Sequence, residues 1–431
     1  MQIVLVNTHD RAGGAARAAY RLYRGLKHIG CDTTFYVARQ SSNDPDIASF
    51  KPTRRTPITR LSRIIQLVVT NLWHYRDPNP SKRTAQAGAF EIVTLDRSGY
   101  GTAPLDQFPP GDVINLHWVA RFIDGPAFFR ALPPQRSVVW TLHDMAPFTG
   151  GCHYDNGCGR YRQSCGACPQ LGSQREHDLS RRIWLSRQAS YRHLLPGQLH
   201  LVTPSRWMAQ EAERSSLFAN IPVVAIPNSL DTETFAPRDQ HAARDMLGIA
   251  QDDRVILFSA DSVSNRRKGF SLLIEAFAGL NPDPRLLLLS VGSAPPPLDS
   301  PIRQLHLGSI DQERIQSMVY SAADLLVIAS LQDNLPNTVM ESLACGTPVV
   351  GFHVGGIAEM VRPGQTGLLV PAGDSAGLRA AIMTLLDHPE ARASMSQQCR
   401  QIALHEYTLE VQARRYYALY QQLYEQALTR R

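Results

Sequence analysis

Short, unbroken apolar runs recur along this chain, each closed by glycine, proline or a small polar cluster. QIVLVN comes first; GDVINL, SVVW, HLV, RVILF, RLLLL, DLLVI, TPVV and TGLLV follow. Runs of this length bounded by turn signals read as strands buried on both faces. Between them lie stretches of helical period, such as AARAAYRLYRGL and FSLLIEAF. Strands alternating with helices predict parallel sheets, and the fold class is α/β with two doubly wound, Rossmann-like domains facing a central cleft. A turn-rich stretch at the midpoint, IPNSLDTETFAP, sets the boundary, giving domains over 1–228 and 229–407. The remaining residues, 408–431, place Tyr416, Tyr417, Leu419, Tyr420, Leu423 and Tyr424 at helical spacing, a packing stripe.

Composition narrows the function class. The chain has 431 residues, 43% apolar and 19% charged, enough for two cores and with no signature of disorder. No apolar run reaches membrane-spanning length, and Met1 leads straight into a strand, so a cytoplasmic protein is expected. The net charge of +6 is concentrated in the first half, which favours an anionic partner: nucleic acid, a membrane surface or a phosphorylated substrate. No helix-turn-helix, zinc-finger or RNA-binding signature supports nucleic acid. From Pro52 to Arg83, Leu61, Ile64, Ile65, Val68 and Leu72 recur at helical spacing among Arg54, Arg55, Arg60, Arg63, Arg76, Lys82 and Arg83. Such a segment is either a helix lying on an anionic membrane surface or a domain helix with solvated arginines.

Candidate chemistry gathers at strand ends. Asp333 and Glu341 stand eight positions apart, one in a loop and one on the helix after it; paired carboxylates there suit sugar hydroxyls, which donate to them. The plainer reading is a helix dipole complemented by one acid, with the other solvated. Gly13 and Gly14 lie where a loop becomes a helix, so the backbone can approach a phosphate. They form no G-x-G-x-x-G, which disfavours a nicotinamide-dependent dehydrogenase. Arg266, Arg267 and Lys268 sit between strand and helix, either placed to neutralise a diphosphate leaving group or forming a basic turn in solvent. Gly292 ends the next strand, either as a close approach to a nucleotide or simply as a turn glycine. His117, and then His143 with Asp144, end successive strands, where α/β proteins put their ligand groups. Cys152, Cys158, Cys165 and Cys168 form C-x5-C-x6-C-x2-C, a candidate structural zinc site with His153 as an alternative ligand.

Glu341 to Val350, ESLACGTPVV, with GGIAE at Gly355 to Glu359, closely resembles the acidic signature of the retaining glycosyltransferases of family 4. The FTG-C…C…CG-CP block and the DNLPN loop are similar to that family's colanic-acid and exopolysaccharide branch. The resemblance implies the GT-B fold, with residues 408–431 crossing back to the first domain. It implies a nucleotide-sugar donor, a UDP- or GDP-hexose, and a saccharide or lipid-linked saccharide acceptor on the inner face of the membrane. The resemblance also implies that no catalytic metal is required. By this resemblance Lys268, with Arg267 or Arg266, binds the donor diphosphate, while Glu341 holds ribose and Asp333 the donor sugar. Asn334, Leu335, Gly13, Gly14 and Gly292 complete the donor site. His117 is the active-site histidine by chain order, and His143 and Asp144 line the acceptor side. Two departures stand out: the first acid is Asp333 rather than Glu, and Ala260-Asp261-Ser262 replace the family's early arginine. The rival readings are a GT-B epimerase or phosphorylase, or a catalytically inactive, zinc-stabilised interaction protein.

Overall fold

The structure is a computed structural model and describes residues 1–52, 93–259, 265–280, 283–293 and 302–429. The basic segment Arg54–Arg83 and residues Ala260, Asp261 and Ser262 fall outside these.

Two parallel sheets form the frame. The first is built from β1 (Ile3–His9), β2 (Thr33–Arg39), β3 (Ile47–Ser49), β4 (Val113–Leu116), β5 (Ser137–Thr141), β6 (Leu199–Thr203) and β7 (Val223–Ala225). Its spatial order is β3-β2-β1-β4-β5-β6-β7. The second comprises β8 (Arg254–Ser259), β9 (Leu286–Val291), β10 (Arg303–His306), β11 (Leu325–Ile328), β12 (Val349–Phe352) and β13 (Gly367–Val370), ordered β10-β9-β8-β11-β12-β13. Val4, Leu5 and Val6 of β1 and Val255, Ile256 and Leu257 of β8 are all buried, which is why these strands read as continuous apolar runs rather than alternating ones.

Strand order reverses between β1 and β4 in the first sheet and between β8 and β11 in the second. At such a reversal the connections leave in opposite directions and open a crevice beyond the C-terminal strand edge. Two crevices, one per sheet, therefore supply the walls of a single cleft.

The helix Leu409–Leu428 belongs by packing to the first domain. Its Thr408 cap accepts from the Val411 N–H at 3.2 Å. Tyr416 Oη shares a 3.0 Å hydrogen bond with Thr141 Oγ1, and Tyr420 Oη donates to Asn115 Oδ1. It crosses the helix Gly14–His28 so closely that a Cβ at Gly25 would lie 2.7 Å from Leu409 O. Ser229 Oγ donates to Gln412 Oε1 at 2.6 Å, pinning the interdomain connection beneath it. Among the described residues, no helix is long and apolar enough to cross a membrane.

Candidate active site

The cleft between the sheets encloses about 850 Å³. On the second-domain wall, Asn265 caps a tight turn over Arg266–Lys268 by accepting from the Arg267 N–H at 3.0 Å. Gly269, at φ +65°, ends that turn; a Cβ there would lie 1.8 Å from Ala329 O. The turn is thus pressed against the chain leaving β11, and Asp333 comes within reach. Lys268 Nζ lies 2.6 Å from Asp333 Oδ2 and Arg267 Nη1 3.4 Å from it. Burial pushes the Asp333 carboxyl up, but the two cations outweigh it and hold the group below the usual range, ionised. Arg266 is exposed and does not border the cleft. Of the two arginines left open by the sequence, Arg267 is the one placed there.

Glu341 is buried on the helix Asn337–Ala344 and lines the same cleft. Its Oε2 accepts from Tyr320 Oη at 3.1 Å and its Oε1 from Arg21 Nη2 at 3.0 Å. The same Arg21 nitrogen reaches Glu313 Oε1 at 2.8 Å. Arg21 sits on the first-domain helix, so the Glu341 carboxylate is oriented from across the interface. Gly292, Asn334 and Leu335 also border the cleft, as do Gly13 and Gly14 opposite them.

Asn334 is chiefly a bridge. Its Nδ2 donates to the Leu142 and His143 carbonyls, both at 3.1 Å, and its Oδ1 accepts from Ser205 Oγ at 2.7 Å. Gly356 packs behind it, where a Cβ would lie 1.5 Å from Asn334 O.

The histidines are arranged differently from the expectation. His143 borders the cleft, and His117 does not. His117 lies behind it, 3% exposed, its Nδ1 3.0 Å from His143 Nε2. The physical reason is the strand register: β5 runs one residue past the Leu116–Trp140 pair that ends β4, so His143, two residues beyond β5, reaches the open edge and stacks over His117, which directly follows β4. Burial lowers the pKa of His143 to about 4 despite the nearby Asp144 carboxylate, and burial with His143 beside it lowers His117 well below its usual value. Both imidazoles are neutral near pH 7. Asp144 lies 2.9 Å from His153 Nδ1; burial raises its pKa, but His153 and the Ala146 N–H bring it below the usual value.

The cysteine block acts on the cleft through its side chains. Tyr154 stacks under Arg267, whose guanidinium carbon lies 4.0 Å from the ring centroid, and against Trp207. Its hydroxyl sits 3.5 Å from Asp333 Oδ1. Gln332 Nε2 donates to Asp155 Oδ1 at 2.9 Å, tying the block to the second domain. Cys152, Cys158, Cys165 and Cys168 are free thiols around one pocket of about 20 Å³. Burial pushes the Cys165 thiol up to about 12 and raises Cys152 and Cys168 as well. Among the described residues, no group of three or more His, Cys, Asp or Glu is gathered so as to hold a metal ion. No metal is assigned to the four thiols.

Tyr154, Tyr320 and Arg21 were not singled out from the sequence. Arg21 had one available signal: it follows Arg17 by four positions on one helix face.

Residues 253–388 match the family described as glycosyl transferases group 1. A D-inositol 3-phosphate glycosyltransferase of Geodermatophilus obscurus is 37% identical over 186 residues, 39% of this chain and 41% of that protein. An N-acetyl-alpha-D-glucosaminyl L-malate synthase of Bacillus anthracis is 24% identical over 47% of this chain and 54% of its own length. The chain thus spans about half the length of the curated relatives it matches. Whole-chain likeness comes from solved structures. A sucrose-phosphate synthase from Thermosynechococcus elongatus superposes with TM-score 0.66 at 21% identity, covering 99% of this chain and 100% of that one. Anabaena HepE in complex with UDP and glucose gives 0.63 at 17% identity, covering 98% and 99%. At these identities the likeness establishes the two-domain GT-B fold.

Proposed function

We propose that this chain is a retaining glycosyltransferase that moves a hexose from a UDP- or GDP-hexose to a saccharide acceptor during exopolysaccharide assembly. The observation that carries this reading is the pairing, in one cleft, of the Asp333–Lys268–Arg267 cluster with the oriented carboxylate of Glu341. Glu341 accepts from the two ribose hydroxyls of the donor. Lys268 and Arg267 face the diphosphate, and Asp333 takes hydroxyls of the hexose.

In the transfer step the bond between the anomeric carbon and the β-phosphate oxygen breaks, and the acceptor oxygen bonds to that carbon on the same face. The acceptor proton passes to the departing phosphate oxygen. Charge grows on that phosphate as the bond lengthens, so cations fixed beforehand lower the barrier more than they stabilise the bound donor. Neutral His143 borders the site as a hydrogen-bonding partner for the sugar and carries no competing charge.

The family match and the UDP and glucose held by HepE support the donor class. The exopolysaccharide assignment rests on the cysteine block and the DNLPN loop. A lipid-linked acceptor and an anionic membrane surface rest on the basic segment Arg54–Arg83, which vesicle sedimentation at low and high salt would test. The reading as a whole is tested by a thermal-shift screen of UDP-, GDP- and ADP-sugars, followed by product analysis. Stabilisation by none of them, or donor consumption that yields an epimer without a glycoside, would contradict it.

A further inference from the structure

A second chamber, about 70 Å³, lies in the first domain beside the cleft. Trp118, His143 and Asp144 border both cavities. Two buried atoms of residues lining the chamber have no hydrogen-bond partner among the described residues: His117 Nε2 and Asp96 Oδ2. Three other polar side chains there are already committed. Trp140 Nε1 donates to His117 O at 3.1 Å, Tyr191 Oη to Pro147 O at 2.9 Å, and Arg187 to the carbonyls of Ala146, Thr149 and Thr94. Ile123, Phe129 and the faces of Trp140 and Tyr191 make the remaining surface apolar.

Buried polar atoms left unpaired are costly, so this chamber is built for an occupant. About two waters, at roughly 30 Å³ each, would fill the volume but leave the aromatic and aliphatic walls without partners. An ionised carboxylate accepts only, and it needs a donor. His117 is neutral, and where His143 donates in their shared bond, His117 Nε2 carries the proton and needs an acceptor. A secondary amide bearing a methyl group presents one donor, one acceptor and one apolar end.

We propose that this chamber receives the acetamido group of an N-acetylhexosamine acceptor. The amide N–H donates to Asp96 Oδ2, the carbonyl accepts from His117 Nε2, and the methyl packs on Ile123 and Phe129. The acceptor rather than the donor is assigned because the chamber lies wholly in the first domain, while Asp333, Lys268 and Glu341 lie in the second. This assignment rests on the glycosyl-transfer reading and gives His117 a role away from the donor.

Saturation-transfer NMR on the full chain, saturated with UDP or GDP, tests it. The probes are methyl 2-acetamido-2-deoxy-β-glucopyranoside and methyl β-glucopyranoside. Wild-type protein is expected to bind the acetamido glycoside at least tenfold more tightly, with the strongest saturation at the acetyl methyl. Ala120→Leu, which fills the chamber, should abolish that preference while leaving nucleotide affinity unchanged. Equal binding of the two glycosides, or binding of neither by nucleotide-loaded wild type, overturns the proposal without recourse to a variant. An acetamido preference that survives Ala120→Leu in folded protein overturns it too. Failure of both nucleotides to bind in prior calorimetry contradicts the glycosyl-transfer reading itself, so the two failures are distinguishable.

Discussion

At the scale of single residues, the cleft separates cations that the sequence leaves equivalent. Arg266, Arg267 and Lys268 are three adjacent basic positions, yet only the last two reach Asp333. Arg267→Ala should therefore lower turnover at least tenfold, since it removes positive charge facing the leaving group and unstacks Tyr154. Arg266→Ala should leave kcat within twofold; equal losses from both variants in steady-state assays would contradict the assignment. The buried histidines give a pH dependence whose sign is fixed. Their folded pKa values lie below the unfolded value near 6.5, so the unfolded chain binds more protons as pH falls from 6.5 toward 4. Stability should drop over that interval, and His143→Gln should flatten part of the slope in urea titrations between pH 6.5 and 5. Asp333, Lys268 and His143 were legible as strand-end or loop residues, and Glu341 as the acid on the helix that follows. His117 was misplaced because chain order cannot reveal which of two neighbouring strands reaches farther.

At the scale of elements, the loops rather than the strands decide the site. All of the apolar runs became strands of parallel sheets because burial on both faces leaves no other pattern. Loop contacts carry no such periodicity, which is why Tyr154 and the Asn334 bridge were invisible in the sequence. Two glycines test how tightly the loops are held. Gly269 needs its positive φ, and any side chain there would meet Ala329 O. Gly269→Ala is expected to cost about 1–3 kcal/mol, read as a lower urea midpoint, and to weaken nucleotide binding because the Arg267–Lys268 turn must shift. An unchanged midpoint would mean that the turn is not pressed on the chain after β11. Gly13, whose φ is also positive but whose Cβ would meet nothing within 4 Å, should tolerate Ala with a smaller loss.

At the scale of the whole molecule, the two domains are joined by polar contacts that also build the cleft. Arg21 is the centre of one such junction, buried between Glu341 and Glu313. Arg21→Ala should cost about 3–5 kcal/mol, mostly because a buried carboxylate is left without its partner; Arg21→Ala with Glu341→Gln should recover part of that loss. Additive losses in a double-mutant cycle would show that the pair is not coupled. Two doubly wound domains were legible because the alternation of strands and helices admits few other arrangements. A contact between residues 320 positions apart, such as Arg21 with Glu341, leaves no local pattern to read. The proposed function places a nucleoside diphosphate in this cleft with its ribose on Glu341. Calorimetry of UDP and GDP with wild-type and Glu341→Gln protein tests it most directly. Loss of a charge-assisted hydrogen bond, about 1.5–3 kcal/mol, should weaken the preferred nucleotide roughly ten- to a hundredfold. Equal affinities for the two proteins, or no nucleotide binding by wild type, would contradict it.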